Sequence, residues 1–186
     1  AYEISECLVG SEMCIRDRLT FGKYNLEFNE VKRVGNVYDD EEFFKEYAMM
    51  YRSQKGLEGA GEWHQLKPLF PDLMGKKVLD LGCGYGWHCK YAIQCGADSV
   101  LGIDLSGKMV AAAMEKNADE RIRYQICGLD SYDYPEDAFD FVVSNLVLHY
   151  IEDLNEIYKN VYRTLKKNGS LSLIHISEPT RHSLIS

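Results

Sequence analysis

Three glycines at alternate positions, Gly82, Gly84 and Gly86, stand between a short apolar run, Val78-Leu79-Asp80-Leu81, and a segment of helical pattern that opens at Trp87. Glycine admits positive φ and lets backbone approach a ligand closely. A helix that starts behind such a turn presents unpaired N–H groups. A pyrophosphate is met by G-x-G-x-x-G. Here the turn is one residue shorter, it contains Cys83, and Asp80 precedes its first glycine by two residues. A carboxylate at that place opposes a pyrophosphate, but it can order the loop and attract an ammonium group. A second acid, Asp104, ends the run Val100-Leu101-Gly102-Ile103, 18 residues after Gly86. At a strand end it can accept both hydroxyls of a ribose, whereas Ser106 is better placed to cap the helix that follows. A ligand carrying a ribose, an amine and a carboxylate but no phosphate suits both acids, and S-adenosylmethionine is such a molecule. A dinucleotide and an unliganded tight turn are the alternatives.

These residues need a scaffold that sets strand ends side by side. Residues 78–81, 99–103, 121–127 and 139–144 read as strands, and Gly169 starts a fifth. Residues 87–95, 106–116 and 154–166 read as the intervening helices. Repeated β-α-β units with short loops imply an α/β doubly wound, Rossmann-like parallel sheet with helices on both faces. Ahead of it, residues 39–52 read as a helix begun by Asp39-Asp40-Glu41-Glu42, with Phe43, Tyr47 and Met50 on one face. Residues 62–70 read as a second helix, closed by Pro71.

The segments DLGCGYG, VLGIDLS, CGLDSYDYPEDAFDF and KNVYRTLKKNGSL resemble the class I S-adenosylmethionine-dependent methyltransferases, type 11-like, over residues 39–171. The resemblance implies strand order 3-2-1-4-5, followed in relatives by strands seven and six. Those two strands do not follow here, so the chain is expected to be incomplete and without turnover of its own. The resemblance also implies cofactor contacts from Asp80, Gly82, Cys83, Gly84, Gly86, Asp104, Leu105, Met109, Leu129, Asn145 and Leu146. Gly128 stands where many relatives have an aspartate that meets the adenine amino group. The Leu129 N–H or the Asp130 carboxylate is left for that task.

Methyl transfer is an in-line displacement that asks the protein for alignment and exclusion of water. His149, one helical turn beyond Asn145 and Leu146, is the candidate general base or substrate contact, with a packed structural histidine as the alternative. Tyr47, Tyr51, Arg52, Trp63 and His88 are candidates for the acceptor pocket or, equally, for plain packing. No Asn/Asp-Pro-Pro-aromatic motif follows strand four and no Pro-Cys occurs. With a net charge of −8, these absences favour a small-molecule acceptor over nucleic acid. S-adenosylhomocysteine is then the product. A cofactor-sensing or partner-binding protein on the same fold, and an NAD-dependent oxidoreductase, are the competing functions.

The 186 residues suit one domain. No apolar run reaches the ~18–20 residues of a membrane span and no signal peptide is evident. The six cysteines form no CxxC pair, so reduced thiols, a cytoplasmic location and no metal site are expected. Residues 1–18 and 172–186 resemble conceptual translations of sequencing-adapter DNA. They are expected to be artefactual, leaving 19–38 as an uncertain extension.

Overall fold

The structure, a computed structural model, describes residues 36–151 and 153–174. The adapter-like stretch 1–18, most of the 19–38 extension and residues 175–186 lie outside the described residues.

Strand β1 (Lys77–Leu81) is buried on both faces beyond its first residue, as a central parallel strand must be. It pairs in parallel with β2 (Ser99–Asp104) on one side and β4 (Phe139–Asn145) on the other. Strands β3 (Ile122–Ile126) and β5 (Leu165–Ile174) complete the order β3-β2-β1-β4-β5, the order expected from the sequence. Parallel neighbours require crossovers. Helices α4 (Trp87–Gln94), α5 (Gly107–Lys116) and α6 (Leu154–Thr164) supply them.

Alternate side chains of each strand feed two cores. Val78, Val100, Phe141 and Val143 pack with Cys89, Ala92 and Ile93 of α4. Leu79, Leu81, Ile103 and Val142 pack with Ile157 and Val161 of α6. The register sets Leu81 beside Ile103 and Asp104 beside Ile126, so the glycine turn and Asp104 leave the same edge of the sheet.

The N-terminal segment departs from one continuous helix. It divides into α1 (Glu41–Met49) and α2 (Tyr51–Lys55) because Met50 is extended, with φ −62° and ψ 146°. Asp40 caps α1 by accepting the Phe43 N–H at 2.9 Å. The expected helix 62–70 is α3 (Trp63–Leu66) followed by a 3-10 turn at Lys67–Leu69, where Pro68 offers no N–H to extend the α pattern. Strand five starts earlier than Gly169. It leaves α6 directly at Leu165 and carries an irregularity opposite Phe139/Phe141, with Asn168 at φ +66°. It also runs through Ser172 to Ile174, across the boundary drawn at 171/172, and Ile174 is buried against Trp63 and Leu66.

Among the described residues no helix is long and apolar enough to cross a membrane, and no three His, Cys, Asp or Glu side chains form a metal-binding group.

Candidate active site

The glycine turn has φ of +73°, +51° and +74° at Gly82, Gly84 and Gly86. A Cβ on Gly82 would meet Val147 Cγ2 at 2.6 Å, and one on Gly86 would strike the Tyr124 hydroxyl. A Cβ on Gly84 would meet nothing within 4 Å. The outer glycines are therefore demanded by packing, and the central one faces open space where a ligand can lie against the backbone.

Asp104 closes the other side of this space. Its Oδ2 accepts the Gly84 N–H at 2.8 Å and its Oδ1 accepts the Ser106 N–H at 2.9 Å. Each oxygen keeps a lone pair for a hydroxyl. Burial raises the Asp104 pKa and the nearby Asp39 raises it further, while the two N–H bonds pull it down. Asp80 is 1% exposed, at the base of the loop, and its Oδ2 accepts the Cys89 thiol at 3.2 Å. Desolvation raises its pKa to about 7. Cys83 is buried in the core behind the turn.

Beyond Asp104, Leu105 and Ile126 are 60% and 61% exposed. They form an apolar surface at adjacent strand ends. Leu129 is buried in the core, so only its backbone remains for a ligand, and Met109 is buried with its N–H capped by Ser106 Oγ at 3.1 Å.

At the end of β4, Asn145 Nδ2 lies 2.7 Å from His88 Nε2. Burial and the Arg52 charge lower the His88 pKa to about 4, so the neutral ring accepts the amide hydrogen. Leu146 takes φ +57°, a left-handed conformation costly for leucine, and its side chain packs against the cluster of Trp63, Leu66 and Ile174. His149 lies against Tyr150, with ring centroids 4.0 Å apart and the planes tilted by 44°.

Of the acceptor-pocket candidates, Tyr47 lies edge-on to Tyr85 of the glycine turn, at 5.8 Å. Burial raises its pKa to about 12, and the Asp104 charge adds to the shift. Arg52 is committed to Glu62, with Nη2 at 2.8 and 3.1 Å from the two carboxylate oxygens. Trp63 is 4% exposed among Phe70, His88 and Tyr91. It packs with Leu66 and Ile174. Tyr51 is 65% exposed, turned outward by the break at Met50.

Sequence reasoning missed Tyr38, Tyr85 and Tyr150. The Tyr38 and Tyr150 hydroxyls meet at 3.2 Å although 112 residues separate them, and no local pattern signals such a pair. Tyr85 was legible, since it lies between two glycines of the turn. Tyr38 also packs edge-on against Phe43 and Tyr47. Its pKa is raised well above the ordinary value by burial, by Tyr150 and Tyr47, and by Asp104. A wall of uncharged phenols thus adjoins the Asp104 end of the glycine turn.

The family described as methyltransferase domain matches residues 79–173. A Haemophilus influenzae protein is 34% identical over 142 residues, covering 73% of this chain and 56% of its own. The crystal structure of an S-adenosylmethionine dependent methyltransferase from Mesorhizobium loti is similar with a TM-score of 0.62 and 42% identity, over 63% of this chain and 55% of that one. Haemonchus contortus phosphoethanolamine N-methyltransferase 1, solved with phosphoethanolamine and S-adenosylhomocysteine, gives a TM-score of 0.68 and 25% identity, over 82% of this chain and 33% of that one. The chain thus spans between 33% and 56% of the length of these three.

Proposed function

This chain belongs to the methyltransferase domain family, and on that footing we propose that it transfers a methyl group from S-adenosylmethionine to a small-molecule acceptor, an amine suiting its walls best. The observation that carries this reading is the bond from the Gly84 N–H to Asp104 Oδ2 at 2.8 Å, which sets the open glycine of the turn beside the acid that would take the ribose. That cradle fits the cofactor: Asp104 would hold the ribose, the backbone at Gly84 the methionine portion, and Leu105 with Ile126 the adenine.

When bound, S-adenosylmethionine supplies a methyl group activated by a sulfonium. The chain's own part is to align an acceptor and exclude water. Tyr47, with a pKa near 12, and His88, with one near 4, stand on opposite sides of neutrality. Neither exchanges a proton readily at working pH. A nucleophile that sheds its proton to solvent, as an amine does, suits such a site better than an alcohol. The phosphoethanolamine of the Haemonchus contortus complex is an amine of this kind.

Calorimetric titration with S-adenosylhomocysteine tests the cofactor. A Kd of about 1–100 μM, lost in Asp104→Ala, is expected. A folded chain that binds NAD and gives no heat with S-adenosylhomocysteine overturns the reading. Label transfer from tritiated S-adenosylmethionine across a panel of amines, alcohols and thiols then tests the acceptor class.

A further inference from the structure

We infer that Cys83 and Cys89 form a redox modification site: a hydroperoxide joins the two thiols in a disulfide that draws the glycine turn out of its ligand-binding shape. The effect on the ligand rests on the cofactor reading above, whereas the site itself does not. A Cβ built on Gly102 of β2 would lie 2.9 Å from Cys89 Sγ and 3.0 Å from Cys83 Sγ. Both sulfurs therefore converge on the space that this bare α-carbon leaves open. Cys83 belongs to the glycine turn and Cys89 to the first turn of α4, and their side chains share a hydrogen bond. They are 6% and 0% exposed, so neither has solvent as a competing neighbour. The separation left to close is small, since a disulfide sets its sulfurs about 2.05 Å apart.

A proton acceptor stands beside the pair. Asp80 Oδ2 accepts the Cys89 thiol hydrogen at 3.2 Å. Burial, the bond with Cys83 and the Asp80 charge raise the Cys89 pKa well above the ordinary value. At Cys83 the bond with Cys89 pulls the pKa down, and burial with the Asp80 charge outweighs it. Both thiols are therefore protonated at rest, and a thiol is a weak nucleophile, so the pair stays reduced until a two-electron oxidant reaches it. Cys83 sulfur, between two glycines of the turn, then attacks the hydroperoxide. The O–O bond breaks, the alcohol leaves with the Cys83 proton, and a sulfenic acid remains. Cys89 sulfur attacks the Cys83 sulfur while its own proton passes by way of Asp80 to the departing hydroxyl, which leaves as water. Two thiols and one hydroperoxide thus give one disulfide, one alcohol and one water, and two electrons pass from the sulfurs to the peroxide. The consequence falls on the turn. The Cys83 N–H bonds to Ile103 O at 2.9 Å and Cys83 O accepts the Gly86 N–H at 2.8 Å. Drawing Cys83 toward Cys89 disturbs both bonds, and with them the peptide that offers the Gly84 N–H to Asp104.

The test treats the full chain with hydrogen peroxide, blocks the remaining thiols by alkylation and digests with trypsin. Lys77 and Lys90 bracket both cysteines in one tryptic peptide, residues 78–90. That peptide should resist alkylation and weigh two hydrogen atoms less, and dithiothreitol should reverse both changes. Calorimetry with S-adenosylhomocysteine should show affinity about tenfold or more weaker in the oxidised chain, restored by dithiothreitol. Cys89→Ser keeps a donor for Asp80, so it should bind like the reduced wild type and ignore peroxide. Should that variant fail to fold by circular dichroism, the wild-type peptide and its reversal decide alone. A peptide 78–90 that stays alkylatable while Cys127 is oxidised overturns the inference. So does a disulfide that leaves affinity unchanged, or a Cys89→Ser chain that still loses affinity on oxidation. A reduced wild-type chain that binds no S-adenosylhomocysteine overturns the cofactor reading instead, and the mass of the peptide still decides the redox site.

Discussion

Asp39 Oδ1 accepts the Ser106 hydroxyl at 2.6 Å, joining residues 67 apart in sequence. The same oxygen accepts the Lys108 N–H at 3.2 Å. Asp39 thereby serves the start of α5 from outside the helix, while Ser106 Oγ caps it from within by accepting the Met109 N–H. The N-terminal segment is latched next to Asp104, the acid assigned to the ribose. Asp39→Ala leaves the buried Ser106 hydroxyl without this acceptor and should cost about 1 kcal/mol of stability. A urea midpoint equal to wild type would show that the latch contributes nothing.

Asp80 makes stability depend on pH. Its folded pKa, about 7, lies above the ordinary 3.8 because burial disfavours the charge. Between these values the unfolded chain has released the proton and the folded chain still holds it. The stabilisation is therefore complete below pH 3.8, falls as pH rises through about 7, and is gone above that. Asp80→Asn carries no charge to bury. Its advantage over wild type should grow across this window to the order of 1–4 kcal/mol, read from urea midpoints at several pH values. A constant difference would mean that Asp80 does not titrate in the window.

Much of the fold was legible because parallel central strands are apolar runs and glycines punctuate them. Val78 to Leu81 followed by three alternating glycines specifies strand, turn and helix start without tertiary information. Strand five was misjudged at its start because Leu165-Lys166-Lys167-Asn168 is polar and continues a helical pattern. The pairing of Lys166 Nζ with Asp140 Oδ2 at 2.8 Å and of Leu165 with Phe139, beside the Ala138 N–H bond to Thr164 O at 2.9 Å, fixes it in the sheet. The break at Met50 carries no glycine or proline to announce it. Position 128 was legible as a departure from the family. The Tyr38–Tyr150 pair lies beyond any sequence pattern.

The Arg52–Glu62 pair should behave as a buried ion pair. The side chains are 20% and 8% exposed. Removing one partner strands the other charge, so Glu62→Gln should destabilise by about 2–3 kcal/mol, below the fully buried range because Arg52 retains some solvent. Arg52→Met with Glu62→Met removes both charges and should recover most of that loss, which a double-mutant cycle measures. The Arg52 charge also helps to depress His88. The Arg52→Met change should raise the imidazole pKa in an NMR titration, and an unchanged His88 would sever that link.

Gly86 and Gly84 should respond differently to alanine. At Gly86 the left-handed φ of +74° adds to a collision with the Tyr124 hydroxyl. Strain and overpacking together should cost Gly86→Ala about 2–4 kcal/mol. Tyr124→Phe removes the nearest of the obstructing atoms, leaving the ring carbons Cζ and Cε1 at 2.8 and 2.9 Å, and gives up its bond to Asn117 O at 3.0 Å. The double variant should therefore be more stable than Gly86→Ala alone, though still below wild type. At Gly84 the φ is +51° but the space is empty, so Gly84→Ala should lose only about 1–2 kcal/mol to backbone strain. Its methyl group projects into the open cradle, so binding of S-adenosylhomocysteine should fall by about tenfold or more. Thermal unfolding and calorimetry on the two variants separate the effects. Gly84→Ala binding as well as wild type would remove Gly84 from the ligand surface.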